Sequence, residues 1–98
     1  MKKLLLATVA SAAMATAVSA DDVKIGVFLG FTGPIESLVA QMGPGAEAAI
    51  AEVSASGSFM NGSTVTAIRA DTTCVDAGAA TAAAERLITS DKVSGIVG

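Results

Sequence analysis

Few residues in this sequence are equipped for covalent chemistry. Cys74 is the single cysteine, and histidine, tyrosine and tryptophan are absent. A thiolate nucleophile needs a neighbouring base, and without histidine the usual one is missing. In an oxidising compartment an unpaired cysteine is unusual. Cys74 therefore reads as half of a disulfide whose partner lies past Gly98. Glu47, Glu52, Asp76, Glu85 and Asp91 are scattered. They form no paired carboxylate site and no metal-ligand spacing, and read as solvated charge. No catalytic residue, metal ligand or cofactor is expected.

The glycines at 26, 30 and 33 invite comparison with a dinucleotide fingerprint, but their spacing is G-x3-G-x2-G rather than G-x-G-x-x-G. Gly26 also lies inside an apolar run instead of the loop after it. Asp71 follows Gly33 by 38 positions, far beyond the usual interval of about 20. No Gly-Lys-Ser/Thr phosphate loop is present. The better candidate for binding is the segment Thr32, Gly33, Pro34, Ile35, Glu36, Ser37 and Leu38. Gly33-Pro34 supplies a rigid turn with accessible backbone amides, and a helix start close by can receive a carboxylate.

The chain has two parts. Lys2 and Lys3 precede an uncharged run from Leu4 to Val18, and Val18-Ser19-Ala20 is a small-residue cleavage site ahead of Asp21 and Asp22. That order marks a cleaved secretion signal over residues 1–20. The run is shorter than the about 20 residues a bilayer core requires. No cysteine lies near the cleavage point, so a lipid anchor is not expected. Residues 21–98 then carry four basic and nine acidic residues, a formal charge of −5. Such a surface disfavours nucleic acid and anionic membrane as partners.

The elements that position the loop follow from periodicity. Val23 to Phe31 is apolar on both alternating faces, as in a strand of a parallel sheet covered by helices on both sides. Ala46, Ala49, Ile50 and Val53 mark one helix face. This helix starts either with Pro44 as its first residue or near Ser37 with Pro44 as a kink; Leu38 and Met42 extend the apolar face and favour the second. Asn61-Gly62 is a turn, and Thr64 to Ala70 is a more polar, edge-type strand. Asp76 is an N-cap for a helix whose buried face is Ala80, Ala83, Ala84, Leu87 and Ile88. Val93 to Gly98 is a third apolar strand. The alternation β-α-β-α-β predicts an α/β fold: a doubly wound parallel sheet in the order 2-1-3, with helices on opposite faces. In such sheets ligands bind outside the carboxyl ends of the strands, where the order reverses, and the Thr32–Leu38 loop falls there. The third strand ends without a covering helix, so the chain is expected to be the N-terminal fragment of a longer protein.

The leader, then DDVKIGVFLGFTGPIESL, a helix, and VTAIRADTTCVDAGAATAAAERLITSDKVSGIVG together resemble the N-terminal part of the periplasmic branched-chain amino-acid-binding proteins, the receptors of ABC importers for leucine, isoleucine and valine. The resemblance covers residues 21–98. Its most specific pieces are the strand leading into Thr32-Gly33-Pro34-Ile35, and Asp71 to Asp76 ahead of the Ala-rich helix. It implies a type I periplasmic binding protein fold with two lobes closing on an amino acid, and delivery to membrane permease subunits. From the position of the loop, Thr32, Gly33, Glu36, Ser37 and Leu38 are expected to be the ligand wall of this segment. The resemblance also implies a disulfide from Cys74 to a cysteine just beyond Gly98. Some members place an aromatic at the position of Leu38. Relatives on the same fold bind amides, urea or other small solutes. The competing classes are a membrane-fused sensor domain and an exported Rossmann-like enzyme.

The leader generates the first prediction. N-terminal sequencing of the exported protein begins at Asp21; an intact Met1 in the membrane fraction would contradict the reading.

Overall fold

A computed structural model describes residues 21–98; the expected secretion signal lies outside the described residues. The chain forms β1 (Asp22–Leu29), α1 (Glu36–Ala55), β2 (Thr64–Asp71), α2 (Ala77–Glu85), a π-helical turn (Arg86–Ser90) and β3 (Gly95–Val97). The three strands are parallel in the order β2-β1-β3. The polar strand is at one edge and the most apolar strand is in the middle, as the sequence pattern predicts. Asp22 to Leu29 pairs residue for residue with Thr64 to Asp71, and Ile25 to Val27 pairs with Gly95 to Val97.

β1 is covered on both sides. Val27 is fully buried, and it lines a groove with Met42 and Ala46 of α1. The neighbouring Gly26 faces the other way, towards Leu87 of the π-turn, also fully buried. A Cβ on Gly26 would lie 2.8 Å from Leu87 Cδ1, so the missing side chain makes the seat for Leu87. The turn that carries Leu87 is widened: Asp91 N–H donates to Arg86 C=O at 2.9 Å. Ile88 was expected on the buried face, but it is exposed. Leu87, beside it, is the residue of this turn that enters the core. Asp76 caps α2 as expected, accepting from the N–H groups of Gly78 and Ala79.

α1 starts at Glu36 and carries Pro44 inside it, which decides between the two expected starts. Its seat differs from the pattern. Val39 and Gly43 are the buried residues, and Gly43 lets the Phe31 ring approach. Ala49 and Val53 are exposed, although the periodicity places them on the buried face. Only part of the apolar surface of α1 meets this sheet. Leu38, Met42 and Val53 stay exposed, and Met42 and Val53 line two separate depressions that each reach Val97.

The two sheet edges are finished differently. Thr72 N–H bonds to Leu29 C=O, so the even-numbered backbone groups of β2 face β1 and the odd-numbered ones face outward. Two of the outward groups are taken by side chains. Val65 N–H donates to Ser54 Oγ at 3.0 Å, and Arg86 Nη2 donates to Arg69 C=O at 2.5 Å. Arg86 is steadied by Asp91 at 3.2 Å, and Arg69 by Glu47 at 2.5 Å and by the Phe31 ring at 4.5 Å. Glu47 and Asp91 are thus ion-paired, not simply solvated.

Two glycines test this packing. Gly26→Val pushes a branched side chain into Leu87 and should destabilise the protein by about 1–3 kcal/mol in urea unfolding. Gly45→Ala, which meets nothing within 4 Å on α1, should instead stabilise by about 0.5–1 kcal/mol. Equal effects of the two would show that Leu87 does not fill the space over Gly26.

Candidate functional site

The loop between β1 and α1 leaves the sheet at the carboxyl end of its central strand. A reversed turn, with Gly33 at φ 101°, carries the chain into α1. Glu36 N–H closes this turn on Gly33 C=O at 3.2 Å. The positive φ favours glycine, and the space requires it: a Cβ would stand 2.6 Å from Thr73 C=O. Ile35 precedes the helix without a side-chain cap, and its C=O accepts the N–H groups of Leu38 and Val39.

The neighbouring loop, between β2 and α2, turns through two consecutive left-handed residues, Thr73 at φ 56° and Cys74 at φ 65°. Asp71 ties the two loops. Its Oδ1 accepts Thr32 N–H at 3.2 Å and Thr73 N–H at 2.9 Å, and its Oδ2 accepts the Thr32 hydroxyl at 2.5 Å. These bonds hold the Asp71 carboxyl below the usual carboxylate range. The Thr32 hydroxyl contributes most, and the Thr73 N–H follows.

The expected site residues fall into distinct places. Thr32 and Gly33 are at the junction with the second loop. Ser37 and Leu38 are exposed on the first turn of α1, Leu38 with 67% of its surface free. Glu36 lies on the β2 side of the helix, lining a recess of ≈ 250 Å³ with Phe31, Val39, Ala40, Pro44 and Arg69. Leu38 is two residues on, about 200° around the helix, and points away from that recess. A larger depression of ≈ 540 Å³ opens at the strand ends between Phe28, Leu29, Thr72, Cys74, Val75, Asp76, Ala77, Ala80 and Gly98. Cys74 is exposed there and is without a partner among the described residues. Its Cβ packs against Gly30.

Sequence reasoning placed Asp71 at the end of β2 but gave it no role. The signal was present: a carboxylate ends the strand next to the one that feeds a Thr-Gly-Pro turn. Its partner could be chosen only once the register put Asp71 opposite Leu29. Among the described residues no group of three or more Cys, Asp or Glu side chains is gathered to hold a metal ion. Also among them, no helix is long and apolar enough to cross a membrane.

A parallel sheet with this order, helices on both faces and a loop presented at the switch point is part of a doubly wound α/β sheet, in which ligands bind outside the carboxyl ends of the strands. A family model described as periplasmic binding protein matches residues 22–98, and the chain belongs to that family. The family is one of receptors for small-molecule solutes. No curated protein matches the chain.

Asp71 generates a prediction about acid. Its folded pKa lies below the unfolded value, so its contribution to stability is present above the ordinary carboxylate range and is lost as pH falls through the lowered pKa. Asp71→Asn should be less stable than the parent at neutral pH, with the gap narrowing in acid. A gap that stays constant in urea titrations from neutral to strongly acidic pH would contradict this.

Proposed function

We propose that the protein is an exported receptor for branched-chain or similar amino acids, and that it hands its ligand to the membrane subunits of an ABC importer. Residues 21–98 would begin the N-terminal lobe of a two-lobed receptor in the periplasm, after removal of residues 1–20. Thr32, Gly33, Ser37 and Leu38 would form the wall that this segment gives to the cleft, with Glu36 flanking it. The observation that carries the reading is the exposed first turn of α1 at the switch point of a sheet belonging to this family. Leu38 offers an apolar surface suited to an aliphatic side chain. The Ser37 N–H at the start of α1, left over when Glu36, Leu38 and Val39 bond back to Gly33 and Ile35, would meet the ligand's carboxylate.

One wall does not make a site. A bound small molecule has about 70–90% of its surface covered, and Ser37 and Leu38 face open solvent. A second lobe would supply the opposite wall and the remaining polar clamps, and closure of the two would make the form that the permease recognises. Cys74 would be bonded to a cysteine beyond Gly98. Its exposure beside Gly98, at the mouth of the larger depression, supports this.

Calorimetric titration of the full-length protein tests the ligand class. Leucine, isoleucine or valine should bind more tightly than acetamide or urea, and Leu38→Ser should weaken leucine binding by about tenfold. Residues 21–98 alone should show no comparable affinity. Tighter binding of urea or acetamide would move the protein to the related receptors for those solutes. Thiol titration of the unreduced full-length protein should find Cys74 blocked. Its release by reduction should cost about 2–5 kcal/mol of stability. A freely reactive Cys74 in folded protein would remove the disulfide from the proposal.

A further inference from the structure

The loop proposed as the ligand wall has few ties to the rest of the molecule. Thr32, Gly33, Pro34, Glu36, Ser37 and Leu38 are all exposed, and the helix that follows has no side-chain cap. Its backbone bonds from Gly33 to Val39 are local. Among the described residues, the side-chain hydrogen bonds that reach it from elsewhere are the two between Thr32 and Asp71. The same carboxylate holds Thr73 N–H, and Thr73 C=O sits against Gly33. One acidic group therefore grips both loops where they meet. A carboxylate suits this task because it accepts several bonds at once, and charge-assisted bonds are about twice as strong as neutral ones.

We propose that Asp71 is a positioning residue for solute capture: through Thr32 it fixes the Thr32–Leu38 loop in the shape that presents Ser37 and Leu38 to the ligand. The inference rests on the functional reading above. Asp71 does not touch the solute. It removes the cost of ordering the loop on binding, because the loop is already held when the solute arrives. Thr32 is the only residue of the loop whose side chain transmits this constraint by hydrogen bonds, so the two residues act as one unit.

The full-length protein allows the test. Four variants are compared with the parent: Asp71→Ala, Thr32→Val, the double variant, and Thr32→Ser, which keeps the hydroxyl. Amide hydrogen exchange over residues 32–38 is measured without ligand, and binding is measured by calorimetry with L-leucine, isoleucine, valine, acetamide and urea well below each melting temperature. Exchange in the loop should accelerate in Asp71→Ala and Thr32→Val and return to the parent rate in Thr32→Ser. Affinity should fall by about tenfold in Asp71→Ala and by less in Thr32→Val, which keeps the Thr32 N–H bond to Asp71, and the double should fall no further than Asp71→Ala, because a shared bond can be lost only once. Unchanged exchange in Thr32→Val, or additive losses of affinity, would overturn the proposal. If Asp71→Ala does not fold, the Val and Ser variants at the exposed Thr32 decide the matter. Leu38→Ser separates the two readings. If it weakens binding while Asp71→Ala and Thr32→Val do not, the ligand wall stands and the positioning role fails. If none of the three affects binding, or the parent binds none of the five solutes, the ligand wall itself is wrong and the inference falls with it.

Discussion

β1 must be kept dry on both faces, and the rest of the molecule is arranged around that requirement. An eight-residue strand with Val27 on one side and Gly26 on the other cannot lie at a surface. The parallel sheet meets it with crossover helices above and below, since a right-handed crossover places each helix on the face its direction dictates. β2 and β3 lie on opposite sides of β1, so the two crossovers run in opposite directions. The loop after β1 is thereby delivered to the point where the strand order reverses. The location of the candidate site is a consequence of how the central strand is covered.

This explains what could be read from the residues. The unbroken apolar run from Val23, the β-branched and more polar Thr64–Ala70, and the cap at Asp76 are local signals with local causes. They state the sheet order because centrality tracks apolarity. The parts that were not legible are non-local. Periodicity shows that α1 has an apolar face but not which stripe meets the sheet. Gly43 decides that by admitting Phe31, and so Val39 is buried while Val53 is not. The widened turn at Arg86–Ser90 has no distinctive residue, and within it Leu87 is buried while Ile88 is exposed.

The candidate site divides in the same way. A Thr-Gly-Pro turn after a buried strand is visible in the sequence, and the left-handed φ of Gly33 agrees with it. The grip of Asp71 on Thr32 joins residues 39 positions apart and depends on register, which sequence spacing does not supply. Glu36 and Leu38 are neighbours in the sequence, yet the helix turns them to different sides. Reading them as one wall treats a helical turn as if it were flat.

Ser54 and Arg86 have a further consequence for the free edge of the sheet. They occupy outward backbone groups of β2 at Val65 and Arg69 from the two opposite faces, one from each crossover. Each helix that covers the central strand thus also seals the rim beyond it. Addition of a strand at this rim would have to displace a serine and an arginine before gaining the ladder bonds at Val65 N–H and Arg69 C=O.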